Sequence, residues 1–239
     1  MYAIETVNLT KKYKDIIAVD NLNLKVRDGE LISLLGMNGA GKTTTIKMLS
    51  CLTNCTNGDA LLHGKSINND ITAVKSIIAV SPQETAIATG LTAKENLQLM
   101  CGVHGFSKEE SKLKIARIIK LLSLETVINK KAGKLSGGWQ RRLSIAMALI
   151  CEPQILFLDE PTLGLDVLAR SELWDLILSL KGQVTIILTT HYMEEAEALS
   201  DRVAIMKNGQ LIIYDTVDKI KKSARTDKFE EAFIKYVKG

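Results

Sequence analysis

Short apolar runs, bounded by Gly, Asn or Asp, recur along the chain and predict β-strands. The clearest runs cover residues 31–35, 77–80, 155–158, 184–188 and 203–206. Amphipathic helical patterns lie between several of these runs, so strand and helix alternate as they do in a parallel sheet covered by helices. The pattern therefore predicts an α/β fold, and the wholly apolar run 155–158 is typical of a central strand.

Between residues 86 and 151 the strand signals stop and helix signals follow one another. Thr92 with Glu95, and Ser107 with Glu110, form two capping-box patterns that each open a segment with helical apolar spacing. The second segment carries a broad apolar face, formed by Leu113, Ile115, Ala116, Ile118, Ile119, Leu121 and Leu122. We therefore expect one domain over residues 1–239, with a core lobe at 1–85 and 152–218 and a helical subdomain at 86–151.

Composition excludes several classes of protein. The 239 residues are 46% hydrophobic and 24% charged, which supports a substantial core and excludes global disorder. No apolar run approaches the ~18 to 20 residues that span a bilayer, and the amino terminus lacks the basic-then-apolar order of a signal peptide. We expect that the chain does not cross a membrane by itself.

The charge is placed unevenly. The chain has 31 Lys and Arg against 27 Asp and Glu, a net charge of +4. From Lys219 onward, seven basic and three acidic residues carry that whole excess, which leaves residues 1–218 neutral. We interpret residues 219–239 as a solvated basic tail, lying near anionic lipid head groups or at a dimer interface. With aromatic residues at 5% and no basic stripe through the fold, no nucleic-acid partner is expected.

The cysteines predict free thiols and no metal site. Only Cys51 and Cys55 are close in sequence, and no second pair of Cys or His residues completes the spacing of a zinc site. We expect all four to be buried free thiols in a reducing compartment: Cys51, Cys55, Cys101 and Cys151.

The strongest local signal is a phosphate-binding loop. Residues 36–43 read GMNGAGKT and match G-x-x-x-x-G-K-[ST], with a strand before them and a helical pattern over residues 44–52 after them. Backbone N–H groups and the helix start would hold phosphates, Lys42 would place a charge near the outer phosphates, and Thr43 would bind Mg²⁺. The alternative is a glycine-rich turn. The predicted nucleotide contacts are Gly36, Asn38, Gly39, Ala40, Gly41, Lys42, Thr43 and Thr44.

Two carboxylates end the apolar run at residues 155–158. Asp159 and Glu160 are hard to explain structurally there, since a desolvated carboxylate needs a cation or hydrogen-bond donors. We predict that Asp159 belongs to a magnesium shell and that Glu160 orients and polarises an attacking water. An ordinary exposed pair at a strand end is the alternative.

A second anion-binding helix start follows Leu135. Ser136, Gly137 and Gly138 precede a helical pattern with apolar residues on one face. A chain with one phosphate loop has no evident use for two such sites. This surplus suggests that the second one serves a nucleotide held by another copy or by a partner.

The motifs also stand in a specific order. The phosphate loop is followed by Gln83 after a strand, LSGG at 135–138, Asp159–Glu160, LGLD at 163–166 and His191 after two threonines. In this order the sequence resembles the nucleotide-binding subunit of an ATP-binding-cassette (ABC) transporter over roughly residues 3–218. The resemblance implies a P-loop NTPase (RecA-like) parallel-sheet core, an N-terminal antiparallel β region and an inserted α-helical subdomain.

Roles for further residues are implied by this resemblance. Tyr13 would stack on the adenine, with a half-buried surface tyrosine as the alternative. Gln83 would contact Mg²⁺ or the attacking water and couple to a transmembrane partner. Asp166 would belong to a loop that crosses the dimer interface, although it equally suits the N-cap of the next helix. His191 would contact the γ-phosphate and hold Glu160 in place.

The function implied is Mg²⁺-dependent ATP hydrolysis that powers transport. Two ATP-binding subunits, identical or different, would close head to tail on ATP and move transmembrane permease subunits from the cytoplasmic face of the membrane. Phrases at 90–97 and 192–196 resemble the branch that exports drugs, antibiotics, lipids or polysaccharides. The alternatives are a soluble ABC ATPase acting on ribosomes or DNA, and a non-enzymatic ATP-gated scaffold. A single cassette without a long coiled coil argues against the first, and intact Glu160 and His191 argue against the second.

Overall fold

Two β-sheets and nine α-helices make up the part of the chain that the computed structural model describes, residues 1–238. The strands are β1 Tyr2–Tyr13, β2 Ile16–Leu22, β3 Lys25–Arg27, β4 Leu31–Leu35, β5 Asn57–Leu62, β6 Lys65–Ser66, β7 Ile78–Ser81, β8 Ile155–Asp159, β9 Thr185–Thr190, β10 Arg202–Lys207 and β11 Gln210–Asp215. The helices are α1 Lys42–Leu49, α2 Ile71–Lys75, α3 Ala93–Val103, α4 Lys108–Leu121, α5 Gly137–Leu149, α6 Val167–Leu180, α7 Met193–Leu199, α8 Val217–Ser223 and α9 Phe229–Lys238.

The larger sheet contains all five strands that the apolar runs predict. Its order is β11-β10-β4-β9-β8-β7, and every neighbouring pair is parallel except the edge pair β10–β11. Every residue of β4, β8 and β9 is buried, because α5 and α6 pack on one face of the sheet while α1 and the strands β1, β2, β3 and β5 pack on the other. The expected parallel α/β core is confirmed.

The smaller sheet lies in the N-terminal part of the chain and is antiparallel. Its order is β2-β1-β5-β6, with β3 also paired to β1. This confirms the antiparallel region that the resemblance implies. At one end of the β1–β2 pair Tyr13 lies opposite Ile16, which carries this aromatic ring to the side of the phosphate loop.

Helices fill the segment between β7 and β8. Both capping boxes are present: Thr92 accepts a hydrogen bond from the Glu95 amide, Ser107 accepts one from the Glu110 amide, and each glutamate bonds back. The broad apolar face predicted for α4 is wrong in part. Leu113 is 73% exposed, because α4 buries only one stripe, centred on Ile115 and Ile118, against its neighbours.

The helical segment and the large sheet share one apolar core. Side chains of α3 and α4 such as Leu97 and Ile118 belong to the same buried cluster as Leu143 of α5, Leu156 of β8 and Ile186 of β9. Helix α5 therefore joins the helical segment to the sheet. Within residues 1–238, no helix combines the length and the apolar character that crossing a bilayer requires.

The prediction of a solvated C-terminal tail is wrong. Most of residues 217–238 lie in α8 (Val217–Ser223) and α9 (Phe229–Lys238), whose apolar side chains pack on Leu35 and on residues of β10. Ile220 is fully buried, Phe229 is 2% exposed and Phe233 is 9% exposed. The basic residues hide this amphipathic pattern in a simple charge count, because they occupy the opposite side of the same short helices.

The cysteines also differ from expectation. All four have free thiols, but only Cys101 is buried, whereas Cys51, Cys55 and Cys151 are partly exposed. Burial still raises the pKa of the Cys51 and Cys151 thiols, which disfavours the thiolate form.

Candidate active site

Four of the predicted functional groups meet at one edge of the large sheet. The phosphate loop follows β4, Glu160 follows β8, His191 follows β9 and Gln83 lies just past β7. Because these four strands are parallel neighbours, their carboxyl ends lie side by side. All four groups line one open cavity of about 580 Å³.

Glycines let the phosphate loop pass close to neighbouring backbone. Gly41 has φ +102°, and a Cβ placed on it would come within 2.5 Å of the Ala18 carbonyl oxygen. A Cβ on Gly36 would come equally close, at 2.5 Å, to the carbonyl oxygen of Met206. These contacts explain why the loop needs glycine at both positions. Residues 38–44 of the loop line the cavity.

Lys42 is buried at the start of α1. Its ammonium donates to the carbonyl oxygens of Gly36, at 2.7 Å, and Met37, at 3.3 Å. The same Nζ atom lies 3.4 Å from Oε1 of Glu160, whose side chain is 8% exposed. The structure thus holds a buried ion pair between the phosphate loop and the carboxylate after β8.

Asp159 is surrounded by hydroxyl groups. Its Oδ1 accepts hydrogen bonds from Thr43 Oγ1, at 3.1 Å, and from Thr189 Oγ1. Gln83 and Thr43 both line the cavity. Carboxylate, hydroxyl and amide oxygens form the ligand set that Mg²⁺ prefers in phosphate-binding sites. The residues predicted for the metal therefore fit it.

The backbone of Glu160 is strained and held firmly. Its φ is +48°, a left-handed conformation that is uncommon for glutamate. Its amide donates to the Thr189 side-chain oxygen, at 3.0 Å, and to the Thr189 carbonyl oxygen, at 3.1 Å. Its Oε2 lies 2.7 Å from Nδ1 of His191, while Oε1 faces Lys42. Both carboxylate oxygens are therefore fixed in direction.

Tyr13 lies at the outer side of the cavity. Its side chain is 44% exposed and lines the opening together with Ile16 and Ile17 of β2. The Lys11 ammonium lies 4.8 Å from the centre of the tyrosine ring. This wall of aromatic and aliphatic surface is the kind against which a purine base packs.

The Ser136 element lies outside the cavity. Ser136 and Gly138 instead border a small hollow with Trp139, next to α6. Ser136 is exposed and makes no capping hydrogen bond, so the first amides of α5 have no side-chain acceptor. Asp166 does cap a helix, since its side chain accepts from the Ala169 amide at 2.9 Å. One copy of the chain does not bring the Ser136 element and the phosphate loop into one site.

Three residues with clear contacts near the site carry no sequence signal that marks them. Thr189 bonds to both Asp159 and Glu160, although the sequence indicates only that it lies in a strand, as one of two threonines before His191. Arg141 lies on α5, where a charged residue is expected to face solvent, but it is only 4% exposed. Glu195 is fully buried beside Trp174 Nε1, which donates to it at 3.1 Å, and burial raises the pKa of Glu195.

The sequence matches the ABC transporter family over residues 19–163. The doxorubicin resistance ATP-binding protein DrrA of Mycobacterium tuberculosis is 40% identical over 210 residues, which are 87% of this chain and 63% of that protein. The daunorubicin/doxorubicin resistance ATP-binding protein DrrA of Streptomyces peucetius is 38% identical over 92% of this chain and 67% of its own. Human ATP-binding cassette sub-family A member 2 is 43% identical, but this chain spans only 9% of it.

Solved structures share the fold. One described as the ATP binding subunit of an ABC transporter has a TM-score of 0.85 and 27% identity, and covers 98% of this chain and 99% of its own. A dimeric ATP-binding cassette in a post-hydrolysis state, bound to ADP and Pi, has a TM-score of 0.78 and 29% identity over 89% and 98% of the two chains.

Proposed function

This chain belongs to the ABC transporter family, and on that premise we propose that it binds and hydrolyses ATP to drive export through separate transmembrane subunits. The convergence of Lys42, Glu160, His191 and Gln83 on one phosphate-loop cavity carries the proposal. Those groups are the ones that transfer of a phosphoryl group to water requires: a cation, a base, its orienting partner and a polar side chain.

Binding would begin at the phosphate loop. Amides of residues 38–44 and the start of α1 would hold the phosphates, and Tyr13 would pack against the adenine. The γ-phosphate would compete with Glu160 for Lys42, because both are anions within reach of one ammonium. Releasing Glu160 from Lys42 would leave its carboxylate available to polarise water.

Hydrolysis would then depend on a carboxylate of fixed direction. Glu160 would accept a proton from the attacking water while His191, at 2.7 Å, keeps the carboxylate aimed. Thr43, Asp159 and Gln83 would hold Mg²⁺, which neutralises phosphate charge when bound. His191 is half-exposed towards the cavity, which suits the contact with the γ-phosphate that the family resemblance implies.

The exposed Ser136 element supports a dimer. Its uncapped helix start would contact the γ-phosphate of ATP held by a second ATP-binding subunit, so that two subunits close head to tail on two nucleotides. Hydrolysis would reopen the pair and move the membrane subunits from the cytoplasmic side. Export is favoured because two of the relatives are drug-resistance ATP-binding proteins.

One experiment tests this function and a second separates it from the ribosome or DNA alternative. The purified chain should hydrolyse ATP only with Mg²⁺, Lys42→Ala should lose ATP affinity, and Lys47→Ala, an exposed lysine of the same helix, should keep it. Wild-type affinity in Lys42→Ala would contradict the assignment. In cell fractions the chain should sediment with membranes and be released by alkaline washing. Recovery with ribosomes or DNA would instead support the alternative.

A further inference from the structure

Arg141 makes a set of buried contacts that the proposed mechanism does not use. It lies in the first turns of α5, five residues after Ser136, and its side chain is 4% exposed. A buried guanidinium is expensive to desolvate, and burial lowers its pKa while the carboxylates of Asp159 and Glu195 oppose that shift. Such a group is retained in a fold when its donors have fixed partners.

Three backbone carbonyls receive the Arg141 donors. Nη1 donates to the Pro82 oxygen at 2.5 Å, and Nη2 donates to the Gln83 oxygen at 2.6 Å and to the Glu160 oxygen at 3.3 Å. The planar fork of a guanidinium can serve several acceptors at once, which a lysine ammonium cannot match in direction. The contacts join two segments that are far apart in sequence.

The neighbouring turn of α5 reinforces this junction. Ser144, one turn after Arg141, shares a buried hydrogen bond of 3.0 Å with Ser81, the last residue of β7. The segment from Ser81 to Gln83 is therefore attached to α5 at three consecutive residues. Since Gln83 is itself exposed and lines the cavity, these bonds hold the backbone from which its side chain reaches the site.

The contact with Glu160 acts on the other catalytic group. The Glu160 amide is held by Thr189, and its carbonyl accepts from Arg141 at 3.3 Å and from the Leu163 amide at 3.2 Å, so both ends of this strained residue are fixed. Loss of the Arg141 contact would leave the carbonyl held by the Leu163 amide alone, so the left-handed conformation would be less firmly held and the carboxylate direction less well defined.

We propose that Arg141 is a positioning residue for ATP hydrolysis. Through its hydrogen bonds to their backbone carbonyls, it holds Gln83 and Glu160 in place relative to each other. The inference rests on the proposed function, because it assigns Arg141 a role in the reaction of the same site. It predicts an effect on turnover with little effect on ATP binding, since Arg141 does not itself line the cavity and its hydrogen bonds go to Pro82, Gln83 and Glu160 rather than to the phosphate loop.

A lysine substitution separates positioning from folding. Arg141→Lys keeps the charge but not the fork, and should lower kcat by about tenfold to a hundredfold, the scale of a small misplacement of reacting groups. KM for ATP should stay within about twofold. Arg141→Met, which leaves the Pro82 and Gln83 carbonyls without a donor and the Glu160 carbonyl with only the Leu163 amide, should lower kcat further, so the lysine restores part of the activity.

The matched control is Arg202→Lys. Arg202 is also partly buried and donates to a backbone carbonyl, that of Lys25, and to Glu30, but it lies at the amino-terminal edge of the same sheet. The Arg202→Lys substitution should lower the melting temperature and leave kcat unchanged. If Arg141→Lys also changes only the melting temperature, the role of Arg141 is structural and the inference is overturned.

A double variant tests the route through Gln83. In the Gln83→Ala protein, Arg141→Lys should lower kcat by a smaller factor than in the wild type, because part of what Arg141 positions is gone. Equal factors in both backgrounds would overturn the inference. A wild-type protein that does not hydrolyse ATP would overturn the proposed function itself, which distinguishes the two failures. If Arg141→Met does not fold, the two lysine variants decide the question.

Discussion

The buried pair between Lys42 and Glu160 allows a quantitative prediction for the protein without nucleotide. The two charged atoms are 3.4 Å apart, and the side chains are 6% and 8% exposed. At an effective dielectric constant of about 20, a pair at this distance attracts by about 5 kcal/mol before desolvation is counted. Removing one partner of a buried pair costs ~3–5 kcal/mol, because the remaining charge is left uncompensated.

Lys42→Met keeps most of the side-chain volume and removes the charge. We expect it to lower the free energy of unfolding by about 3 kcal/mol, the lower end of that range, because Glu160 keeps its contact with His191. For a chain of this size, that corresponds to a fall of about 6–12 °C in melting temperature. The assay is thermal or urea unfolding without nucleotide, since a bound ligand would stabilise the folded state.

Two further variants make the result specific. Lys47→Met, on the exposed side of the same helix, should change stability by less than about 0.5 kcal/mol. In a Glu160→Gln background, Lys42→Met should cost at least about 2 kcal/mol less than in the wild type, since no opposing charge remains to be stranded. A cost within about 0.5 kcal/mol of the Lys47 control, or an equal cost in both backgrounds, would refute the reasoning.

Three other regions of the structure make predictions of their own. Burial raises the pKa of Glu195 above its unfolded value of about 4.3, so stability falls as the pH rises above that value. Glu195→Gln should therefore raise the melting temperature at pH 7.5 but not below pH ~4, and a gain independent of pH would contradict this. Phe233→Ala should cost about 3 kcal/mol in urea unfolding and Phe233→Leu less than about 1.5, whereas no loss would restore the solvated-tail interpretation. Ser136→Arg, placed in the Glu160→Gln protein, should abolish the ATP-dependent dimer in size-exclusion chromatography while ATP binding persists. A dimer that survives would contradict the role of Ser136.

The central strands were predictable because a strand that is buried on both faces has an almost continuous run of apolar residues. Residues 31–35 and 155–159 are apolar almost throughout, and turn residues bound them. The phosphate loop was predictable because its spacing is set by the glycines that the backbone needs. Helix boundaries were less accurate: α1 covers Lys42–Leu49 rather than residues 44–52, since Cys51 takes a left-handed conformation with φ +55°.

Contacts between distant segments could not be predicted from local patterns. Arg141 donates to the carbonyls of Gln83 and Glu160, which lie 58 and 19 residues away in sequence. Because every residue has a backbone carbonyl, the type of residue does not indicate which carbonyls accept these bonds. The packing of α8 and α9 was missed for a related reason. Their basic residues dominate the composition, whereas Phe229 and Phe233 decide where the helices lie.

The fate of ATP in the Glu160→Gln protein tests the account most directly. The amide keeps the side-chain shape and a hydrogen bond to His191 but does not accept a proton from water. We predict ATP affinity within about twofold of wild type, turnover lowered at least about a hundredfold, and an ATP-dependent dimer in size-exclusion chromatography. Turnover at the wild-type rate would remove Glu160 from the reaction and contradict the account.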